Sequence, residues 1–196
     1  MPATRRGYWF LLFIQFLKIA AMLRIAGLPN RGNTMPCYHY TFHAYGTWMP
    51  DKKQGYVKRK QGVLKRDEDM AMNYRANQKH KTVYFDIKHQ KEILEALRIA
   101  GEHLDAVIHC IAVEPTHLHT VISWKHERSW DSIQRSIKTT ITRRLNKVFG
   151  KRTWLVKDGS HKRVNDHDHF CFLIHEYLSS HRGQYWLRDE DRERFG

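Results

Sequence analysis

The sequence predicts an α+β fold, a ferredoxin-like split βαβ sandwich in which helices cover an antiparallel sheet, extended by one C-terminal helix. Three observations support this fold class. Residues 37–48 alternate aromatic and polar side chains, as a strand does. Residues 86–104 and 129–150 place apolar side chains at helical spacing. Residues 105–114 and 117–124 are strand-like and are separated only by Pro-Thr, a connection that implies an antiparallel pair.

The other elements complete this order. Residues 49–85 predict an exposed insertion with a basic run and a short helix. Residues 153–165 predict a fourth strand, and residues 166–183 predict a third helix that Asp166 caps and Gly183 ends. The helix at 129–150 should begin after Ser129, stop at Gly150 and bury one apolar stripe. The stripe consists of Ile133, Ile137, Ile141, Leu145 and Val148.

The net charge indicates the class of partner, and the cysteine content indicates which kinds of site to expect. The 34 Lys and Arg residues exceed the 20 acidic residues and give a net charge of +14, which favours a polyanion, with nucleic acid ahead of an anionic membrane surface. The three cysteines are far apart and form no C-x-x-C motif, so we expect neither a disulfide framework nor a thiolate zinc site. These features predict a cytoplasmic, nucleoid-associated protein.

Residues 1–34 form an apolar and basic extension, and we expect the folded domain to span 35–196. Two interpretations of the extension stay open: a signal peptide or short membrane anchor, or sequence upstream of a true start at Met35. Gln15, Lys18 and Arg24 interrupt the apolar run. The run is therefore shorter than the roughly 18 residues of a membrane span, and we expect no stable membrane partner.

His117 and His119 lie two residues apart on a predicted strand, so both side chains project from one face and can converge on one ion. In a chain with 14 histidines such a pair can also be a chance pair of core or solvated side chains. In the third helix, Tyr177 and His181 share the apolar, inward face and lie one turn apart. Three imidazoles leave coordination positions open, as a catalytic ion requires, and a phenol beside that ion is a candidate nucleophile.

The segments "AVEPTHLHTVISW" and "HFCFLIHEYLSSHRGQYW" resemble those of the single-tyrosine HUH transposases, in particular the branch of REP-associated tyrosine transposases and their transposase-like relatives. The resemblance covers Met35 to about Trp186. It implies that His117 and His119 bind a divalent metal ion, Mg²⁺ or Mn²⁺, and that Tyr177 attacks single-stranded DNA to leave a 5′-phosphotyrosine. It also implies that His181 is the third ligand.

Three positions depart from the family pattern. His181 stands where an Asn or Gln is usual, and the usual Asn-Pro after the tyrosine is replaced by "HRG". Thr116 stands where an asparagine is common. An imidazole at the third position shifts the expected preference from Mg²⁺ towards Mn²⁺.

The resemblance implies a DNA-transposition enzyme that cleaves and rejoins single-stranded DNA at or near hairpins, acting as a monomer or a homodimer. We expect phosphate contacts from basic side chains of the second helix, the insertion and the fourth strand, with base stacking on tryptophans and Glu114 as an accessory residue. The candidate DNA contacts are Arg135, Lys138, Arg143, Lys162, Arg163 and Trp48, with Arg59, Lys60, Trp124, Trp154 and Trp186 as weaker candidates.

Two other functions stay open at this point. A non-catalytic, domesticated nucleic-acid-binding protein on the same fold would bind DNA in a salt-dependent way without any covalent adduct. A two-histidine phosphodiesterase would need two H-x-T/S elements, and only "HYT" at 39–41 qualifies.

Overall fold

The structure is a computed structural model that describes residues 35–53, 55–58 and 61–195. The predicted extension at 1–34 and the candidate contacts Arg59 and Lys60 lie outside the described residues. The elements, in chain order, are β1 (Cys37–His43), β2 (Tyr56–Lys58), β3 (Gly62–Leu64), α1 (Glu68–Ala76), α2 (Ile87–Leu104), β4 (Ala106–Val113), β5 (His117–Trp124), α3 (Trp130–Phe149), β6 (Ser160–Arg163), α4 (His167–Cys171), a π-helical segment (Phe172–Tyr177), β7 (Gln184–Leu187) and α5 (Asp189–Phe195).

Five strands form one antiparallel sheet in the order β6-β1-β5-β4-β7. The first four of these are the strands of a split βαβ unit, in which α2 and α3 make the two crossovers. The predicted fold class is confirmed. The fifth strand, β7, was not predicted, since the four residues Gln184–Leu187 carry little strand pattern of their own and pair with β4 at the sheet edge.

The two faces of the sheet differ in chemistry because side chains alternate along β5. Leu118, Ile122 and Trp124 face α2 and α3 and belong to the larger apolar core. Val121 belongs to a smaller core on the opposite face, which the segment after β6 covers with Leu173, Ile174 and Leu178. His117 and His119 share the parity of Val121 and therefore lie on this second face.

The helix at 129–150 agrees with its prediction at both ends. The Ser129 side chain accepts a hydrogen bond from Ser132 N, and the Gly150 N–H donates to Asn146 O. Four residues of the predicted stripe are fully buried, but Val148, in the last turn, is 47% exposed. The prediction for Val148 was wrong because periodicity identifies the face of a helix and not how far along it the packing surface extends.

The third helix is shorter than predicted. Asp166 caps it as expected, accepting a hydrogen bond from His169 N. The helix nevertheless ends at Tyr177, where Leu178 N donates to Leu173 O, and a tight turn follows. Gly183 is not a helix stop. A Cβ there would lie 1.8 Å from Val113 O, so glycine is needed where the chain passes β4 to enter β7.

The predicted insertion at 49–85 contains the β2–β3 ribbon and α1. The short helix was predicted and the ribbon was not. Many of its side chains are exposed, yet Ala71, Val83 and Phe85 are buried and anchor it to the domain. Among the described residues, no helix has both the length and the apolar character needed to cross a membrane.

Candidate metal and nucleophile site

The second face of the sheet gathers polar side chains from two neighbouring strands. His119 is only 4% exposed and lies directly opposite Thr41 of β1. His39, two residues before Thr41, projects to the same face. The His39 ring centroid lies 5.0 Å from that of His119. A buried polar cluster of this kind on a sheet face is costly unless its atoms find partners.

The segment after β6 places a phenol and a third imidazole over this cluster. Leu173, Ile174 and Leu178 pack against the sheet and fix the π-helical segment, at whose end Tyr177 lies. The Tyr177 ring centroid is 5.8 Å from that of His119 and 5.2 Å from that of His181. The pairing expected from helical spacing is present, although His181 lies in the turn beyond the helix and not in its last turn.

One nitrogen from each of His117, His119 and His181 lies within 4.8 Å of the other two, so the three side chains could hold a metal ion. In each ring, Nδ1 already has a partner. The hydroxyl of Thr116 lies 2.8 Å from His117 Nδ1, and His181 Nδ1–H donates to Tyr177 O over 2.9 Å. His119 Nδ1 lies 2.9 Å from Thr41 Oγ1 and 3.0 Å from His39 Nε2.

The Nε2 atoms are therefore the candidate ligands. The His119 Nε2 is buried and has no hydrogen-bond partner. A buried polar atom without a partner needs an explanation, and a bound ion supplies one. Outer hydrogen bonds on Nδ1 that fix each ring are the usual support of metal-binding histidines, so the residues present fit a metal ion.

Burial keeps two of the imidazoles in the form that binds metal. It holds the pKa of His119 well below its usual value, with neighbouring His39 and His117 lowering it further. Burial also lowers the pKa of His117 to about 4, against an opposing effect of Glu114. Near neutral pH both side chains are uncharged, and a neutral imidazole has the lone pair that a metal ion requires.

The phenol, by contrast, is held in its protonated form. Burial raises the pKa of Tyr177, and the nearby Glu114 carboxylate raises it further. A protonated phenol is a poor nucleophile, so this group would need activation before it could attack a phosphodiester.

Glu114 lies at the rim of the site. Its Oε2 is 4.0 Å from His117 Nε2, and its Oε1 accepts a hydrogen bond from Arg182 N at 3.0 Å. The carboxylate therefore links the β4–β5 connection to the turn that carries His181. Its role as an accessory residue stays a prediction.

The candidate DNA contacts fall on two sides of the sheet. Lys162 lies opposite His39 on β6, so it projects towards the histidine face. Arg163 lies opposite Tyr38, a partly buried residue that packs against the larger core, and therefore projects towards the face that α2 and α3 cover. The α3 residues Arg135, Lys138 and Arg143 belong to that far side.

Two of these α3 side chains already have protein partners. Arg135 pairs with Asp131 at 2.7 Å, and the Lys138 ammonium donates to the carbonyl oxygens of Val156 and Lys157. Arg143 is exposed. Their roles in DNA binding stay predictions.

Among the tryptophans, Trp48 is half-buried just before the insertion, with the Tyr56 and Tyr74 rings of the insertion about 6 Å away. Trp124 and Trp154 are each 2% exposed and belong to the larger core. The suggestion that bases stack on Trp124 or Trp154 is wrong for this structure, because neither ring face is accessible.

Sequence reasoning missed His39, Thr41 and Thr116 as partners of the candidate ligands. A signal for the first two was present. In the sheet β1 lies beside β5, and His39 and Thr41, two residues apart on β1, face the same side as His119. The "HYT" motif at 39–41 contains both residues, and its closeness to His119 follows from the pairing of β1 with β5.

No protein-family model and no curated protein matches this chain. Several solved structures resemble it, two of which are transposases. One is a REP-associated tyrosine transposase bound to a REP hairpin, at 11% identity and a TM-score of 0.42, with 78% of this chain and 70% of that chain covered. The other is a candidate transposase from Deinococcus radiodurans R1, at 12% identity and a TM-score of 0.42, with 81% of this chain and 100% of that chain covered. At these values the likeness carries no conclusion about activity.

Proposed function

We propose that this protein is a metal-dependent, transposase-like endonuclease and strand transferase that cleaves and rejoins single-stranded DNA through Tyr177. The observation that supports the proposal is the convergence of three imidazole nitrogens, within 4.8 Å of one another, beside a phenol whose ring centroid lies 5.2 Å from that of His181. Open coordination positions next to a nucleophile are what phosphodiester chemistry needs.

In this proposal His117, His119 and His181 hold the ion. A divalent ion bound there would withdraw charge from the scissile phosphodiester and stabilise a phenolate. Three nitrogen ligands favour Mn²⁺ or another transition ion over Mg²⁺, which prefers oxygen ligands.

The covalent step uses the chain's own phenol. Tyr177 Oη gives up its proton to water and bonds to phosphorus. The bond from phosphorus to the 3′ oxygen breaks, and that oxygen takes up a proton to become a free 3′-hydroxyl. Attack by a 3′-hydroxyl on the phosphotyrosine reverses these changes and rejoins a strand. The proposed partner is single-stranded DNA that carries hairpins, which the net charge of +14 favours.

The test is the substitution Tyr177→Phe, which keeps the ring and removes the attacking oxygen. With Mn²⁺ and a hairpin-bearing oligonucleotide, wild-type protein should form a covalent adduct visible on a denaturing gel, and Tyr177→Phe should form none. Tyr84→Phe, a change at a tyrosine that is 63% exposed, is the matched control and should leave the adduct unchanged.

Persistence of the adduct in Tyr177→Phe would show that another residue is the nucleophile. If wild-type protein binds the oligonucleotide in a salt-dependent way and forms no adduct with either Mg²⁺ or Mn²⁺, the non-catalytic nucleic-acid-binding function replaces this proposal.

A further inference from the structure

We infer that His39 and Thr41 are positioning residues that hold the His119 imidazole with Nε2 directed at the bound ion. This inference rests on the metal site of the proposed function. It adds a strand, β1, that contributes no member of the candidate ligand set. It also gives "HYT" a role that needs neither a second H-x-T element nor water-based hydrolysis.

Two polar groups lie within hydrogen-bond distance of one nitrogen, His119 Nδ1. Thr41 Oγ1 lies 2.9 Å and His39 Nε2 lies 3.0 Å from His119 Nδ1. All three side chains are buried, with exposed fractions of 9% for Thr41, 8% for His39 and 4% for His119. Bulk water therefore cannot easily replace either contact.

The direction of the hydrogen bond decides which nitrogen of His119 is available. A neutral imidazole carries one proton, and a metal ion needs the lone pair of the other nitrogen. If Nε2 binds the ion, Nδ1 carries the proton and needs an acceptor. The Thr41 hydroxyl oxygen lies at acceptor distance, and so does His39 Nε2 in the tautomer of His39 that carries its proton on Nδ1.

The other two candidate ligands have simpler support. His117 Nδ1 meets the hydroxyl of the adjacent Thr116, and His181 Nδ1–H donates to the backbone oxygen of Tyr177. Both partners are local in sequence. His119 is the most buried of the three ligands, and its partners come from a neighbouring strand some 80 residues away. The Thr41 hydroxyl alone could accept the hydrogen bond from His119 Nδ1–H. The need for an acceptor therefore does not explain why the His39 imidazole is also buried beside this nitrogen.

The test measures Mn²⁺ affinity without DNA, by the loss of the electron paramagnetic resonance signal of the free ion during titration. His39→Leu and Thr41→Val each remove one acceptor, and the double variant removes both. Losses of an outer hydrogen bond typically weaken metal affinity by roughly 10- to 100-fold, so we expect about 10-fold for each single variant and about 100-fold for the double variant. His39→Gln, whose amide oxygen can accept from Nδ1–H, should stay within about 3-fold of wild type.

The matched control is His43→Leu. His43 lies on the same strand and the same face, with its ring centroid 5.8 Å from that of His117, and within the described residues its side chain makes no hydrogen bond to a candidate ligand. This variant should keep the wild-type affinity to within about 3-fold. Thermal unfolding of each metal-free variant checks that an affinity loss does not reflect an unfolded chain.

The inference is overturned if the folded double variant binds Mn²⁺ as tightly as wild type, if His43→Leu loses as much affinity as His39→Leu, or if His39→Gln gives no rescue. It is also overturned, together with the proposed metal site, if His119→Ala binds Mn²⁺ as wild type does. Mn²⁺ binding that depends on His39 and Thr41, in a protein that never forms a DNA adduct, would support the inference and contradict the proposed strand transfer.

Discussion

The two ring nitrogens of His119 have different surroundings. Its Nδ1 has two neighbours on β1, while its Nε2 is buried without a partner. An unpaired buried polar atom costs about 1–3 kcal/mol. A residue in this state lowers the stability of the metal-free protein, and binding of an ion to Nε2 would offset that cost.

Mn²⁺ should therefore raise the thermal stability of the protein. At an ion concentration 100 times the dissociation constant, binding adds about 2.7 kcal/mol, which for a chain of this size corresponds to a rise in Tm of roughly 5–10 °C. His119→Ala should remove most of this rise. Differential scanning calorimetry with and without Mn²⁺ measures it, and His103→Ala, at an exposed histidine of α2, is the control. An equal rise in His119→Ala would place the ion elsewhere.

The element that carries Tyr177 depends on a very short α-helix. Helix α4 has five residues before the π-helical segment begins, and Asp166 accepts a hydrogen bond from His169 N at 2.7 Å to start it. A helix of this length has little intrinsic stability and relies on its cap and on packing.

Asp166→Ala should lower the free energy of unfolding by about 1 kcal/mol, within the usual range of about 0.5–2 kcal/mol for a lost N-cap. Asp166→Asn should stay close to wild type, because its side-chain oxygen can still accept the hydrogen bond. Urea unfolding followed by circular dichroism gives the values. Asp168→Ala, in the first turn of the same helix with a side chain 99% exposed, is the control. A loss in Asp168→Ala as large as that in Asp166→Ala would argue against the capping explanation.

Elements with strong periodicity and caps could be predicted from the sequence, and elements defined by long-range contacts could not. Helix α3 agrees with its prediction because Ser129, the apolar stripe and Gly150 are local signals. The end of the π-helical segment at Tyr177, where Leu178 N donates to Leu173 O, is not encoded by helical periodicity. Strand β7 exists because β4 offers an edge, and Gly183 allows the chain to reach it.

The same distinction applies to the candidate site. His117, His119, Tyr177 and His181 could be named from spacing and resemblance, since each lies in a recognisable segment. The partners of His119 depend on the pairing of β1 with β5, two strands between which the chain forms β2, β3, α1, α2 and β4. Such pairings follow from the whole topology and not from a local pattern.

At the scale of the whole molecule, the sheet separates two sets of basic residues. Lys162 projects to the histidine face, while Arg163, the next residue of β6, projects to the face that α2 and α3 cover. These neighbours have the same formal charge and differ mainly in the side of the sheet they occupy. They therefore offer a direct test of which side binds nucleic acid.

If the histidine face binds single-stranded DNA, Lys162→Ala should weaken binding and reduce the slope of log affinity against log salt concentration by about 1, as expected for one lost phosphate contact. Arg163→Ala should leave both quantities close to wild type. Fluorescence anisotropy with a labelled oligonucleotide at several salt concentrations measures them. The reverse result would place the DNA on the side of α2 and α3.

The π-helical segment Phe172–Tyr177 has a consequence for how sequence changes would act on the nucleophile. One amino acid turns a helix by about 100°, so removing a single residue upstream of Tyr177 would swing its oxygen away from the imidazoles even if every group needed for the reaction remained in the chain. The direction of the Tyr177 side chain thus depends on the number of residues in the π-helical segment. An insertion or deletion in this segment would abolish the proposed strand transfer as completely as the loss of Tyr177 Oη.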